Sequence, residues 1–568
     1  MTPEHTNHHP QPHPTQPHHT QGDRPLVFGP EDLPLVERVP LADRDLPPST
    51  YELLSRAADA HCGATALHLL GENGRRWSEP DTWTYGDLLR HVHQAANALL
   101  ASGLRPGEPV GLLLPNSGWA YAALLGAQAI GIANPVNPLL AEDHITDILA
   151  LTGARVVITV PQLAGKARRV AERLPAVRAV LDIGDLARLA GDQPGDRLLT
   201  GHRPRPDDFA AYFHTGGTTG TPKVAPHTHA MEVYMAWALG CTGAFLGDSV
   251  ALAGLPLFHV NAVHVTGLGP FMHGRPVVSL GPLGYRDRAL MADFWRIVEH
   301  FRVTSFSAVP TVYAALPLVP DGVDISSLRA GAVGAAPLPQ RVRSGFESDA
   351  KVPMLEGYGL TEATCASAAT PAFAPRAGSV GLRLPYQQIK AVRVDADERP
   401  TGDCAPGETG VLAISGPAVF PGYLGPGGPD RGGKVVDGWL LTGDLGRVDA
   451  DGYVYLTGRA KDLIIRGGHN IDPRPVEESL LAHPLVTGAA VVGRPDDHAG
   501  EVPVAYVTAS ARIGADELLA WARERAPEPA AAPKAVHIVD ELPTTSIGKI
   551  FKPALVADAV RRMTEEGP

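Results

Sequence analysis

The sequence predicts an α/β protein with largely parallel sheets, followed by a smaller α+β domain. Two observations carry this. Short apolar runs alternate with helical periodicities along most of the chain, the pattern of strand–helix–strand units. Near residues 457–470, TGRAKDLIIRGGHN, the composition changes, and the residues beyond that point resolve into two apolar runs, a helix and a Pro/Ala-rich stretch. With 568 residues the chain is long enough for several domains and large cores.

Residues 1–25 are rich in Pro, His, Thr and Gln and nearly devoid of apolar side chains, so a disordered tail is expected. Its histidines, His5, His8, His9, His13, His18 and His19, would bind metal adventitiously at most, and no catalytic role is assigned to them. In TYGDLLRHVHQAANALLASG, Thr84 and Asp87 form a capping-box pair, Leu88, Val92, Ala95 and Leu99 recur at helical spacing, and Gly103 stops the helix. PVGLLLPN reads as a buried strand, GWAYAALLGAQAIG as a second helix and ARVVITV as another strand. Beyond residue 470, AAVVG and VPVAYVTAS are apolar runs and DELLAWARERA is a helix. The domains expected are therefore a tail over 1–25, a main domain over 26–460 and a smaller domain over 461–568. There is no internal repeat.

Composition narrows the function. Hydrophobic residues make up 44% and charged residues 19%, an ordinary globular balance. The net charge of -12 argues against a nucleic-acid partner, whose footprint is a basic face. It does not exclude small anions, because one loop sets its own local field. Cys62, Cys241, Cys365 and Cys404 are far apart and form no C-x-x-C, so neither a zinc site nor a disulfide framework is suggested. No signal peptide is evident, and AYAALLGAQAIGIANPV is too short and polar to span a membrane. A reduced, cytoplasmic setting fits best. The assembly state, homodimer included, is left open.

Six stretches carry chemistry. HTGGTTGTPK, at 214–223, packs three glycines and four threonines before a lysine. Glycine lets successive N–H groups point into one concavity, threonine adds hydroxyl donors, and Lys223 adds charge, which together suit a polyphosphate. The spacing is not that of a Walker A loop, because Thr221-Pro222 separates Gly220 from Lys223. VGAAP, at 333–337, offers small residues against which a flat ring can lie. EGYGLTE, at 356–362, sets an aromatic between glycines and ends on a threonine and a glutamate suited to phosphate and Mg²⁺. LTGDLG, at 441–446, holds a carboxylate able to accept both hydroxyls of a ribose. GRAKD at 458–462 and TSIGKI at 545–550 supply basic residues on loops. Singly, each has a plainer reading: Tyr358 as core, Glu362 as a helix-start acid, Asp444 as a turn cap, Lys549 as a solvated charge. Six independent stretches in this order point instead to one nucleotide site.

In these motifs the chain resembles the adenylate-forming superfamily of acyl-CoA synthetases, luciferases and peptide-synthetase adenylation domains. The resemblance runs from about Thr82 to the helix after Lys549. It implies a large N-terminal domain of stacked α/β subdomains, residues 26–460, with a mobile C-terminal lid, residues 461–568. It implies ATP, Mg²⁺ and coenzyme A as cosubstrates and ions, and a small carboxylic acid as substrate. By resemblance, Thr215, Gly216, Gly217, Thr218, Thr219, Gly220, Thr221 and Lys223 hold the β- and γ-phosphates. Gly334, Ala335, Ala336 and Pro337, with Glu356, Gly357, Tyr358 and Gly359, frame adenine, Tyr358 stacking on it. Thr361 touches the α-phosphate and Glu362 holds Mg²⁺. Asp444, helped by Arg459, grips the ribose. His259 lies beside the acyl carboxylate. Lys461 is the hinge, Gly467 and Gly468 line a pantetheine tunnel, and Lys549 bridges the carboxylate and the α-phosphate. Two positions depart from the common pattern: Pro475 where many relatives carry Glu, and Thr544 where Lys or Arg is frequent.

The implied reaction is AMP-forming ligation of an acid to CoA through an acyl-AMP. Acetate-specific relatives carry Trp at the position of Gly359, so glycine there suggests room for a medium-chain, long-chain or aromatic acid. Carrier-protein loading, amide formation, or activation of nitrite by a diazotase are the alternatives the motifs leave open.

Overall fold

The computed structural model describes residues 20–21, 24–72, 74–215, 222–395, 397–425, 427–430, 432–466, 469–496, 498–545 and 548–566. The tail expected over 1–25 lies almost wholly outside them, as do residues 216–221 of the Thr/Gly loop and Gly467 and Gly468. From Leu26 onward the chain is already packed: Leu26, Val27, Leu33 and Val36 are buried.

Strand β1 (Thr65–Leu69) leads through a short edge strand into helix α1 (Tyr85–Ala101). Thr84 accepts from the Asp87 amide while the Asp87 carboxylate accepts from the Thr84 amide, the reciprocal cap expected from the sequence. Leu88, Val92, Ala95 and Leu99 face inward and are fully buried. Strand β2 (Pro109–Leu112) comes next, then helix α2 (Gly118–Ile130), which is apolar on every side and buried on every side. A Cβ on Gly126 would come within 3.0 Å of the Ala96 amide and 3.1 Å of the Val92 carbonyl, so this glycine sets how closely α1 and α2 approach.

Strands β3 (Ile132–Pro135), β4 (Val156–Thr159), β5 (Ala179–Asp182), β6 (Phe209–Thr215) and β7 (Lys223–Thr228) complete a sheet ordered β7-β6-β3-β2-β4-β5. Only β6 and β7 pair antiparallel in it. Their hairpin carries the Thr/Gly loop at its tip and pairs Thr215 with Lys223. Helix α3 (His229–Cys241) starts at a Thr228 cap and is buried along its length.

The second sheet uses β8 (Ala251–Ala253), β9 (Val277–Ser279), β10 (Ser305–Ala308), β11 (Ala330–Val333) and β12 (Met354–Tyr358) with β1, in the order β12-β11-β10-β8-β9-β1, all parallel. Past β12 the same sheet turns antiparallel and runs out to β13 (Trp439–Val448) and β14 (Tyr453–Arg459). The expectation of largely parallel sheets therefore holds only up to Tyr358. The β12–β14 region is joined by short connections with no crossover helix, and only antiparallel neighbours permit that.

The smaller part is α+β. Strands β15 (Val486–Asp496) and β16 (Gly500–Ala509) form a long antiparallel pair, covered by α4 (Arg474–Leu481), α5 (Ala515–Arg525) and α6 (Lys552–Glu566). Pro475 sits in the first turn of α4, where the missing N–H costs nothing. The smaller part touches the main part through a few polar contacts, including Arg341 to the Val486 carbonyl at 2.9 Å and Arg474 to the Leu456 carbonyl at 2.8 Å. No described helix is long and apolar enough to cross a membrane.

The α1–α2 contact gives a direct check. Gly126→Val forces two methyl groups into the α1 backbone, an overpacking cost of about 1–3 kcal/mol or more. The expected result is a lower unfolding midpoint for the main part in differential scanning calorimetry, with the transition of the smaller part unmoved.

Candidate active site

The site forms where the ends of β12, β13 and β14 meet the hairpin β6–β7. Asp444 lies on β13 directly opposite Arg459 on β14. Its Oδ1 pairs with the Arg459 Nε at 3.0 Å, and its Oδ2 accepts from the Tyr358 hydroxyl at 2.8 Å. Asp444 is 8% exposed, so these partners hold the carboxylate in one orientation. Tyr358 is itself 6% exposed and its ring belongs to the core beneath the site. Burial and the Asp444 charge push its hydroxyl well above the ordinary tyrosine range. The ring has little free face, and its visible work is to orient Asp444.

Past Tyr358 the chain passes Gly359 and makes a tight turn at Thr361–Ala363. A Cβ on Gly359 would lie 1.8 Å from the Cys365 carbonyl oxygen and 2.7 Å from the Ala366 Cα. This corrects the sequence expectation. Glycine stands here because another stretch of backbone passes against it, not because space is left for a long acid. Glu362 is half-buried, and its Oε1 accepts a short hydrogen bond from the Tyr423 hydroxyl. The Lys223 ammonium sits 5.1 Å from the centre of the same Tyr423 ring. Tyr423 thus couples the closing lysine of the Thr/Gly loop to the acid of EGYGLTE, a link no motif indicates. Lys434, equally unmarked in the sequence, is half-buried nearby: burial lowers its pKa, the Glu362 charge opposes that, and Lys461 and Lys223 reinforce it.

The small-residue stretch Gly334, Ala335, Ala336 and Pro337 comes after β11, beside Glu356 and Gly357 of β12; a Cβ on Gly334 would lie 3.1 Å from the Gly357 carbonyl. Ala335 adopts a left-handed backbone, φ 67°, unusual for a residue with a side chain. Glu356 is tied by a short ion pair to Arg343, a partner the sequence does not indicate, and burial still raises its pKa.

On the other side, His259 precedes a short helix, and its Nε2 is buried without a hydrogen-bond partner among the described residues. Burial, and secondarily the neighbouring His214, hold its pKa at about 3. His214, at the start of HTGGTTG, is likewise held at about 4 by burial. Both imidazoles are neutral near pH 7. Phe258 contacts both rings, stacked on His214 at 6.4 Å and tilted against His259 at 4.7 Å by ring centres. Beside Phe258 an apolar recess is lined by Leu114, Leu124, Pro135 and Leu257.

Lys549 arrives from the smaller part. Its loop closes on itself through the Thr545 amide to the Lys549 carbonyl at 2.7 Å, with Gly548 at φ 81°. It docks on the main part through the Thr311 hydroxyl, which donates to the Gly548 carbonyl at 3.1 Å. Burial lowers the Lys549 pKa to about 8; Arg459 and Lys552 add to this, while Asp444 and Asp462 oppose it. The lysine therefore stands within electrostatic reach of the Asp444–Arg459 pair. Lys461 is exposed on the single turn Ala460–Asp462 that joins the two parts.

Two neutral imidazoles, a buried and oriented acid, a half-buried carboxylate beside Lys434, and a lysine from the smaller part are the groups an enzyme would need to handle a nucleotide beside an organic acid. Comparison with known proteins agrees. The AMP-binding enzyme family model matches residues 54–424, and the AMP-binding enzyme C-terminal domain model matches residues 475–549. The marinolic acid–CoA ligase of Pseudoalteromonas sp. (strain SANK 73390) is 40% identical over 96% of this chain and 86% of its own length. The feruloyl-CoA synthase of an Amycolatopsis species is 36% identical over 83% of this chain and 92% of its own. The crystal structure of the anthranilate CoA ligase AuaEII in complex with anthranoyl-AMP superposes with a TM-score of 0.81 at 26% identity, covering 92% of this chain and 99% of that one. The chain belongs to the AMP-binding enzyme family. It is an AMP-forming acid–CoA ligase, which activates a carboxylic acid with ATP to an acyl-AMP and transfers the acyl group to CoA.

Two substitutions test this geometry. Tyr358→Phe removes a hydrogen bond to a charged group, worth about 1.5–3 kcal/mol, and should raise the KM for ATP roughly tenfold or more. Gly359→Ala should lower activity toward every acid in a panel by the same factor, because its Cβ meets backbone. A selective shift toward short acids would instead restore Gly359 to the acyl pocket.

Proposed function

We propose that the acid is a medium- or long-chain or aromatic carboxylic acid, and that the residues of the site divide the work between binding, activation and transfer. The acyl end lies against Phe258 and the apolar recess beside it, where no charged side chain would favour a second carboxylate. The relatives whose names specify feruloyl and anthranilate substrates support an aromatic or extended acid over acetate. Residues 26–460 bind the nucleotide and acid, and residues 461–568 act as the lid. Among the described residues the protein shows no disulfide, which supports the cytoplasm as its compartment.

A carboxylate is a poor electrophile because its charge repels nucleophiles. Attack on the α-phosphate converts it to a mixed anhydride with AMP as leaving group, and this step needs charge balance and in-line positioning. Thr215 through Thr221 and Lys223 hold the β- and γ-phosphates. Glu362 would hold Mg²⁺: its Oε1 is engaged by Tyr423, which leaves Oε2 for a cation, and the ion would neutralise phosphate charge. Thr361 contacts the α-phosphate, Asp444 and Arg459 the ribose, and Gly334–Pro337 with Glu356–Gly359 the adenine. His259, neutral at working pH, approaches the acid without trapping it as an ion pair. Lys549 offers its ammonium to the attacking carboxylate and the α-phosphate. After pyrophosphate leaves, rotation about Lys461 would withdraw Lys549 and bring Gly467 and Gly468 to a pantetheine arm, whose thiol attacks the acyl carbonyl and expels AMP.

The observation that carries this reading is that half-buried Lys549 comes from a separate domain on a loop docked on the main part by the Thr311–Gly548 hydrogen bond, close enough to Asp444 and Arg459 to feel both charges. A panel of acids assayed for CoA-dependent AMP release tests the substrate class; turnover confined to acetate would overturn it. Lys549→Ala should slow adenylation by about 10²–10³, the cost of one preorganised charge donor, while still consuming CoA with synthetic acyl-AMP. Lys461→Pro should do the reverse, because proline fixes φ and stiffens the pivot. Equal loss of both half-reactions in both folded variants would overturn the swinging lid.

The cation form of Lys549 is the active one, and it is lost as pH rises through its value in the free enzyme. kcat/KM for ATP in the adenylation half-reaction should therefore fall above pH about 8. Lys549→Arg should extend the plateau to higher pH, even at reduced rate.

A further inference from the structure

Behind the site, three polar side chains from three elements converge in a fully buried position. His227 lies near the end of β7, Glu232 in the first turn of α3, and His264 opens a π-helical turn at His264–Leu268. All three have negligible exposure. The Glu232 Oε1 stands 3.7 Å from the His227 Nδ1 and 3.9 Å from the His264 Nε2, and the three atoms lie within 4.8 Å of one another. Those separations are too long for direct hydrogen bonds. None of the three atoms has a hydrogen-bond partner among the described residues.

The far side of each ring dictates what faces the gap. The His227 Nε2 is 2.7 Å from the Thr361 carbonyl, and the His264 Nδ1 is 2.8 Å from the Val260 carbonyl. A carbonyl only accepts, so both of those nitrogens carry the proton. In a neutral ring the other nitrogen is then a bare lone pair. The Gln128 amide donates to the Glu232 Oε2 at 2.7 Å, which leaves Oε1 turned toward the rings. Three acceptors thus face one another across a small gap with no donor between them. Leaving them so is unfavourable.

We propose that His227, Glu232 and His264 bind a divalent transition-metal cation of the zinc class, as a structural site. Two nitrogens and one carboxylate oxygen are a zinc-type donor set. Zinc bonds of about 2.0–2.2 Å place two ligands of one ion roughly 3.3 Å apart, so the two Glu–His gaps, 3.7 and 3.9 Å, need close by about half an ångström, and the gap between the two rings, which is within 4.8 Å, by at most about 1.5 Å. Ring N–H groups bonded to backbone carbonyls are the usual outer support of metal-bound histidine. The carbonyls so gripped belong to Thr361, beside Glu362, and to Val260, beside His259. The ion would therefore clamp the two segments that flank the reacting phosphate and acid.

The test uses the full chain, dialysed against EDTA to strip adventitious metal, then analysed for metal by mass spectrometry. About one zinc per chain should remain, and Glu232→Gln and His264→Gln should each lose it. Protein expressed in cobalt-supplemented medium and dialysed in the same way should show the visible absorption of low-coordinate Co²⁺. Metal-free wild-type protein with no cobalt band would overturn the site and leave the trio bridged by protons or water. Residual metal undiminished in the variants would overturn it too. Should the variants not fold, the wild-type stoichiometry and cobalt spectrum decide alone, and neither depends on catalytic activity.

Discussion

The ion pair between Asp444 and Arg459 is the interaction on which the rest of the site depends. It joins two antiparallel strands at the end of β14, because Arg459 is the last residue of β14 and the turn Ala460–Asp462 begins at once. Its acid is steadied from below by Tyr358, the end of the last parallel strand, and so draws the parallel and antiparallel halves of one sheet to a single carboxylate. Its guanidinium is half exposed and contributes to the lowered pKa of Lys549. One pair therefore connects the sheet junction, the turn Ala460–Asp462 and Lys549, the groups for which ribose, pivot and carboxylate roles are proposed.

Charge is distributed around this pair with economy. Lys434 feels the charges of Glu362, Lys223 and Lys461, while Tyr423 donates to Glu362 and lies under the Lys223 ammonium, so basic and acidic groups are interleaved on the side proposed to face phosphate. The side facing the organic acid carries imidazoles that burial keeps neutral. A permanent cation there would compete with Lys549 for the substrate carboxylate. The protein as a whole is acidic, yet the anion-handling surface is locally basic, which is how a small anion is held without attracting nucleic acid.

Much of this is legible in the chain. The Thr84–Asp87 cap, the largely apolar α2 and the buried strands follow from local pattern alone, since each is decided by its own few residues. The family motifs locate Asp444, Arg459, Glu362 and Lys549 because each sits in a short stretch of unusual composition. Arg343, Tyr423 and Lys434 are not legible. They reach the site from ordinary surroundings by tertiary approach, and no local spacing marks them. The antiparallel turn of the second sheet is hidden because apolar runs look alike in either direction. Gly359 misleads for a related reason: sequence shows a missing side chain but not what fills its place, which here is the carbonyl of Cys365.

The docking of the lysine loop has an energetic consequence. The hydrogen bond that ties it to the main domain, from Thr311 to the Gly548 carbonyl, is solvent-exposed. Such a bond contributes about 0.5–1.5 kcal/mol, which biases a two-state equilibrium by roughly two- to tenfold. A bias of that size is within reach of a bound nucleotide or a released pyrophosphate. On the lid motion proposed above, the loop would be held firmly enough to present Lys549 and loosely enough that the contents of the cleft, more than the protein's own contacts, would set which half of the cycle is populated.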